Sequence, residues 1–259
     1  MPKTHTFKDD DLPTIITLNG CKKWYVNGKA HRGGDRPAIE NANGDKCWYK
    51  NGIIHREGDR PAIQQSNGTK MWYINGMRDR GGDFPAVERA NGDKEWYNKG
   101  KLHREGDLPA VEYGGGSKAW YYNGQLHREY DRPAIEYLNG YKAWYFKGKP
   151  HREYDRPAIE QVNGDRVWYS NGKLHREIYP AIEMTDGNRE WWVNGKMLSN
   201  EKGPAYMLFC KKMQAKKLER AQKKIYFWWI QRCYDMSRPC GQRMAQRNLA
   251  LYEKMIKEY

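Results

Sequence analysis

The chain has 259 residues, of which only 38% are hydrophobic, and a mean hydropathy of −1.08, which is too polar for a thick globular core. Trp (11) and Tyr (19) far outnumber Phe (5), so apolar contact has to come largely from rings that carry a polar group. Residues 206–259 hold 13 Lys and Arg against 4 Asp and Glu, or +9 of the formal net charge of +14, and we expect an acidic partner there first.

Residues 1–12 are polar and are interpreted as an N-terminal edge or cap without a secretory signal. The five cysteines lack C-x-x-C spacing, which indicates reduced thiols rather than a disulfide framework or a zinc site. The longest strongly apolar run, Ile225 to Ile230, has six residues, too few to span a bilayer. These features predict an intracellular chain that is neither secreted nor transmembrane.

A period of 24 residues organises the middle of the chain. Pro recurs at the same interval as Trp, and both series slip by one residue within His175–Pro180. The pattern predicts eight repeats and a partial ninth, which begins at Pro204, over residues 13–205. The tryptophans, predicted to pack between repeats, are Trp24, Trp48, Trp72, Trp96, Trp120, Trp144, Trp168 and Trp191.

Each repeat contains two Asn-Gly pairs or close equivalents, such as Asn43-Gly44 and Asn51-Gly52. Asn-Gly is typical of a two-residue type I′ hairpin turn, in which both residues have positive φ. The run between the two pairs is one strand long, and its Trp and Tyr should face opposite sides. The predicted fold is therefore mainly β: an elongated antiparallel hairpin meander of about sixteen strands, two per repeat.

Between the strands, the segment from His-Arg to Pro is too irregular for a strand and is interpreted as a bend. Its Asp (35, 59, 83, 107, 131 and 155) is expected to accept backbone N–H groups there. Its histidines repeat at about 9.5 Å, too far apart to share one zinc ion, so no metal or cofactor is predicted. Instead we expect each His to bond the Asp of a neighbouring repeat; the histidines are His31, His55, His103, His127, His151 and His175, with Asp79 in the missing place.

The bend also carries an unbroken series of arginines, which have two interpretations. They could line a phosphate-binding face, or they could be neutralised by pairing with nearby Asp and Glu and by stacking on Trp. Together with residues of the tail, they form the candidate interaction surface: Arg32, Arg56, Arg80, Arg104, Arg128, Arg152, Arg176, Lys216, Lys217, Arg220, Lys223, Lys224, Trp228 and Trp229.

Residues 206–259 form a basic tail, predicted to be a helical hairpin. From Lys211, apolar residues Leu218, Ala221 and Ile225 recur at helical spacing among lysines and arginines. A break is expected at 235–239 and a second helix from about Gly241. The hairpin could cap the edge of the last repeat, lie on an anionic membrane, dock a partner or contact nucleic acid through phosphate charge alone.

The string Trp168-Tyr-Ser-Asn-Gly-Lys-Leu-His-Arg176 resembles the Trp…Asn-Gly-Lys-x-His-Gly core of MORN repeats, with one extra residue before Asn-Gly and Arg in place of the last Gly. That resemblance implies scaffolding or peripheral membrane contact. The segments 101–112 and 224–235 also resemble repeat proteins encoded by large DNA viruses of amoebae, which implies a viral protein of the virion or host cytoplasm.

The polar residues are copied from repeat to repeat, and no catalytic group stands apart, so we predict that the protein is not an enzyme. The expected function is a scaffold for protein–protein interaction, structural or associated with the virion. Peripheral binding of anionic lipid through the tail is the alternative, and association with nucleic acid is a third. No small-molecule substrate is expected.

Overall fold

The computed structural model describes residues 12–198 and 202–233, together with Gln242 and Gln246. The predicted N-terminal cap lies outside these residues except for Leu12. The chain forms two compact units, the repeat array and a unit that contains the helix. The predicted mainly β hairpin meander is confirmed, with 31 short strands and one helix among the described residues.

Each repeat begins at its Pro; seven repeats form four strands and the last forms three. The first two strands of every repeat, together with the third strand of the last repeat, make one sheet of seventeen strands. The first strands are Ile15–Ile16, Ile39–Glu40, Ile63–Gln64, Val87–Glu88, Val111–Glu112, Ile135–Glu136, Ile159–Glu160 and Ile182–Glu183. The second strands are Lys22–Lys23, Lys46–Cys47, Lys70–Met71, Lys94–Glu95, Lys118–Ala119, Lys142–Ala143 and Arg166–Val167, with Arg189–Val193 in the last repeat.

In the first seven repeats the third and fourth strands pair only with each other, as a small hairpin. The third strands are Tyr25–Val26, Tyr49–Lys50, Tyr73–Ile74, Tyr97–Asn98, Tyr121–Tyr122, Tyr145–Phe146 and Tyr169–Ser170. The fourth strands are Lys29–Ala30, Ile53–Ile54, Met77–Arg78, Lys101–Leu102, Gln125–Leu126, Lys149–Pro150 and Lys173–Leu174. In the last repeat, Lys196–Leu198 is the third strand and belongs to the large sheet.

The large sheet is a meander in which sequence neighbours pair antiparallel. Glu40 of a first strand lies opposite Lys46 of its own repeat and opposite Lys22 of the repeat before it. This opposite-charge register recurs along the sheet and favours the observed pairing over a one-residue slip. From the second repeat onward, each first strand therefore links two repeats.

The strand predicted to run through Trp and Tyr is broken at Trp in seven repeats. The backbone N–H of Trp48 donates to the carbonyl of Ala62 in the following repeat at 2.8 Å, whereas the carbonyl of Trp48 accepts from His55 in its own repeat at 3.2 Å. The chain thus leaves the large sheet at Trp and enters the small hairpin. In the last repeat the strand Arg189–Val193 runs unbroken through Trp191. The prediction of two strands per repeat is wrong, because seven repeats have four strands and the last has three.

Only one of the two predicted type I′ turns in each repeat has that geometry. In the small hairpin, Asn51 and Gly52 have φ of 52° and 83°, as a type I′ turn requires. In the corresponding turn of the large sheet, Gly44 has positive φ but Asn43 does not. The Gly44 N–H donates to the Asn41 C=O at 2.9 Å. Because the Asn41 N–H donates to the Asp45 C=O at 2.9 Å, this loop holds three residues, 42–44, as a type I turn followed by a bulge.

The core is a thin double row of Trp and Ala side chains. The seven tryptophans from Trp24 to Trp168 are 4–6% exposed, and the Ala that follows each repeat's Pro from residue 38 to 181 is 0% exposed. The Tyr beside each of these tryptophans is half-buried on the other face. Because a Trp side chain has far more surface than an Ala side chain, the tryptophans supply most of the buried apolar area.

The helix spans Lys202–Cys233 and begins earlier than the predicted Lys211. Pro204 lies in its first turn, a position that Pro tolerates because the first N–H groups of a helix have no partner in it. The predicted partial ninth repeat is therefore helical. The described residues contain one helix and not the predicted helical hairpin; the predicted break and second helix lie outside them apart from Gln242 and Gln246. Over the described part of the chain, no helix combines the length and the apolar character needed to cross a membrane.

Candidate interaction surface

The bend arginines do not point freely into solvent but lie flat on tryptophan rings. The guanidinium carbon of each lies 3.6–3.9 Å from the ring centroid of the Trp eight residues before it. These arginine side chains are only 11–13% exposed. The stacking predicted as one of two interpretations is thus present in seven repeats.

Each guanidinium from Arg56 to Arg176 also bonds the Asp of the preceding repeat through two of its nitrogens. Arg104 is representative: its Nε and Nη2 donate to Asp83 at 2.7 and 2.8 Å. Its Nη1 donates to Glu112 at 3.0 Å and to the Pro109 carbonyl at 3.4 Å. A flat fork that meets a carboxylate through two parallel bonds is the geometry for which Arg is suited and Lys is not.

The same Asp makes a second contact with the next repeat through its backbone. The indole N–H of Trp120 donates to the carbonyl of Asp107 at 3.0 Å, and Asp107 has φ of 57°. Asp tolerates this left-handed conformation better than most residues. We call this arrangement the latch: the Arg and Trp of one repeat and the Asp of the repeat before it. The expectation that this Asp accepts backbone N–H groups in its own bend is wrong.

Charge within the latch is balanced. Hydrogen bonds from Arg56 hold the pKa of Asp35 below its usual range despite partial desolvation, and Arg128 lowers the pKa of Asp107 in the same way. Arg104 has a raised pKa, chiefly because of its bond to Asp83. The arginine series is therefore largely neutralised within the array, and little of its charge is left for a phosphate ligand.

The first repeat has the Arg and Trp of a latch, but the Asp before it lies outside the described residues. Trp24 Nε1 and Arg32 Nε are buried, and neither has a hydrogen-bond partner within the described part of the chain. Asp11 stands 21 residues before Arg32, the same spacing that separates Asp35 from Arg56.

The histidines link repeats as well, but through the backbone. Nδ1 of His103 accepts the N–H of Asn123, the first residue of the next type I′ turn, at 3.2 Å. In the repeat without His, the carboxylate of Asp79 accepts the N–H of Lys99 at 3.1 Å. The predicted bond from His to a neighbouring Asp is therefore wrong. Nε2 of His103 instead lies 2.8 Å from Glu105. Among the described residues no group of three His, Cys, Asp or Glu is placed to hold a metal ion.

The residues left on the surface differ from repeat to repeat, and sequence reasoning missed the most distinctive pair. The bend position that is Gly34, Gly58, Gly82 and Gly106 in earlier repeats becomes Tyr130 and then Tyr154. These two tyrosines are 82% and 80% exposed. The signal in the sequence is the departure from the repeat, Tyr in place of Gly at this position.

The helix carries the other half of the predicted surface. Lys216, Lys217, Arg220, Lys223 and Lys224 are exposed, and Lys223 pairs with Glu219 at 3.2 Å. Leu218 and Ile225 are 61% and 67% exposed, so apolar and basic side chains reach solvent on the same helix. Trp228 and Trp229 belong to the same helix.

No known protein-family model matches the chain, and no curated protein sequence does.

Proposed function

We propose that this chain is a non-catalytic repeat scaffold that binds other proteins. The single observation that supports this is the latch, which uses the Arg, the Asp and the Trp of each repeat to join repeats instead of presenting them to a ligand. Such stacking gives a stiff support on which side chains that vary between repeats are held at fixed spacing. The resemblance to MORN repeats and to viral repeat proteins extends the proposal to a structural or virion-associated protein.

The test is capture of the intact, tagged protein from the cells or particles in which it is made, followed by size-exclusion chromatography. We expect a partner that co-elutes at fixed stoichiometry and is competed by untagged protein. A control variant, Glu105→Gln, alters an 84% exposed carboxylate outside the latch and should capture the partner as the unchanged protein does. Recovery of the chain only as a monomer without a partner would contradict the scaffold proposal.

Peripheral binding to anionic membranes is the second candidate, favoured by the helix. Exposed Leu218 and Ile225 beside five exposed cations are the combination that holds a helix at an anionic interface. The test is co-sedimentation with vesicles of phosphatidylcholine with or without phosphatidylserine, using the full chain and a variant with Lys216, Lys217, Lys223 and Lys224 changed to Glu.

The control variant changes four exposed lysines of the array, Lys29, Lys101, Lys149 and Lys173, to Glu, which gives the same change in net charge. Membrane binding through the helix predicts that only the helix variant is released from the vesicles. Equal release of both variants would indicate attraction by net charge alone. If the intact chain fails to bind anionic vesicles, this second candidate is rejected.

A further inference from the structure

A groove of about 460 Å³ lies where repeats 5 and 6 meet, and its walls are aromatic. Tyr130, Phe146 and Tyr154 line it and are 82%, 42% and 80% exposed. The corresponding groove three repeats earlier has nearly the same volume, about 450 Å³, but has Gly58 in the place of Tyr130 and Ile74 in the place of Phe146, and Phe84 also lines it. The groove itself is a product of stacking, whereas the exposed Tyr at the position of the earlier glycines is specific to repeats 5 and 6.

Both tyrosines occupy a backbone conformation that disfavours them. Tyr130 and Tyr154 have φ of 61° and 60°, where the glycines of four earlier repeats have φ of 67–74°. A bulky residue is rare in this left-handed region because its Cβ approaches the following carbonyl. Neither ring is buried by the fold, so packing within the described array does not account for them. Strain of this kind is concentrated in proteins at ligand-contacting positions.

The charge left at the groove is negative. Four guanidinium groups nearby are matched by four carboxylates: Arg128 pairs with Asp107 and Glu136, Arg132 with Asp107, Arg152 with Asp131 and Glu160, and Arg156 with Asp131. Glu129 and Glu153 remain, at 65% and 66% exposure, with contacts to the imidazoles of His127 and His151 at 3.1 and 3.9 Å. Lys147, near the ring of Phe146, offsets one of these two charges.

The exposed rings of this region already accept cations from within the chain. The ammonium of Lys147 lies 5.2 Å from the centroid of Phe146, and the guanidinium of Arg132 lies 5.4 Å from that of Tyr130. Tyr154 has no side-chain partner among the residues whose positions are described. Since each repeat adds two strands to the large sheet, equivalent residues of neighbouring repeats are about 9.5 Å apart. This spacing leaves room for one flat side chain between Tyr130 and Tyr154.

We propose that this aromatic groove binds a lysine- or arginine-bearing segment of a partner protein, with one cationic side chain held between Tyr130 and Tyr154 and its charge facing Glu129 and Glu153. The proposal rests on the scaffold function proposed above and names the chemistry of the partner. The composition of the chain is basic and predicts an acidic partner, whereas this groove on the array is acidic and aromatic and predicts a basic partner.

The test is titration of the full chain with a fluorescent Gly-Ser decapeptide that carries two Lys or two Arg, against the same peptide carrying Gln. We expect the cationic peptides to bind at least tenfold more tightly than the Gln peptide. The double substitution Tyr130→Gly with Tyr154→Gly restores the residue of the earlier repeats. It should weaken binding of the cationic peptides at least tenfold and raise the melting temperature, because the strained backbone is relieved.

A second pair of variants separates the carboxylates from net charge. Glu129→Gln with Glu153→Gln should weaken binding and flatten its dependence on salt. Glu57→Gln with Glu105→Gln removes the same charge from the same row, beside Gly58 and Gly106, and should leave binding unchanged. Equal binding of the Lys and Gln peptides, or full binding by the tyrosine-to-glycine variant, would overturn the proposal.

The proposed function is tested separately by partner capture with the same variant. If the chain with glycine at 130 and 154 captures its partner as well as the unchanged protein does, the groove assignment fails and the scaffold function stands. If the unchanged protein captures no partner but binds the cationic peptides as expected, the scaffold function fails and the groove assignment stands.

Discussion

Asp107→Asn tests the latch most directly, because it removes charge with little change in shape. Asn tolerates the φ of 57° at this position as well as Asp does, so the backbone is not strained by the substitution. Arg128, which is 11% exposed, donates to the two carboxylate oxygens at 2.9 and 3.1 Å, and an amide can accept only one of these bonds. A second arginine, Arg132, also loses its charged partner.

Loss of one hydrogen bond to a charged group at a largely buried guanidinium costs about 1.5–3 kcal/mol. Since Asp107 is 30% exposed and water can replace part of the bond, we expect about 2 kcal/mol. For a domain of this size that corresponds to a fall in melting temperature of roughly 4–8 °C. The assay is urea unfolding followed by Trp fluorescence, with melting followed by circular dichroism.

The matched control is Glu105→Gln, two residues away, where the carboxylate is 84% exposed and contacts only His103. Its effect should stay within about 0.5 kcal/mol. Because stability in repeat arrays is carried by neighbour interfaces, Asp107→Asn should also broaden the transition or split it into two. If Asp107→Asn and Glu105→Gln change the free energy of unfolding equally, the reasoning about the latch is refuted.

Three further outcomes are expected. Arg128 lowers the pKa of Asp107, so the contribution of Asp107 to stability is complete above the ordinary Asp pKa of 3.8 and is lost as pH falls through the lower pKa of the folded state. Urea unfolding between pH 6 and pH 2 should show this loss, and the free energy of unfolding should depend less steeply on pH in Asp107→Asn. Trp120→Ala, at a 5% exposed ring, should cost about 3–5 kcal/mol by urea unfolding and Trp191→Ala, at a half-buried ring, clearly less; equal costs would argue against the tryptophans as the core. Asp79→His should change the melting temperature little, because Nδ1 can accept the Lys99 N–H in place of the carboxylate, whereas Asp79→Ala should cost about 0.5–1.5 kcal/mol; a large loss in Asp79→His would show that the acceptor alone is not what matters.

The latch has a general consequence for proteins with a strong repeat and a large net charge. The net charge counted from the sequence overestimates the positive charge that a partner meets at the surface. The reason is that the cations that recur in every repeat are paired with carboxylates of neighbouring repeats. Here the arginines that stack on Trp are also paired and largely buried, whereas carboxylates of the same segment such as Glu105 and Glu129 are exposed. Residues that break the repeat, such as Tyr130, are better candidates for recognition than residues that define it.

The sequence by itself determined the period, the hairpins and the buried ring of each repeat. These are local features: Asn51-Gly52 favours a two-residue reversal through the φ of those two residues alone, and the spacing of Trp48 from Trp72 needs no knowledge of distant contacts. The stacking of arginine on tryptophan could also be anticipated, since the two lie eight residues apart in one repeat.

Only the tertiary structure decided which residues meet across repeats. Arg56 bonds Asp35 at a separation of 21 residues, and His55 receives its bond from Asn75 at a separation of 20. The break of the strand at Trp48 depends on an Ala62 carbonyl in the following repeat. These partners are set by the position of each bend relative to the bend of the neighbouring repeat. In an array whose repeats carry the same residue types, the sequence offers several equally good partners, and the three-dimensional stacking selects one.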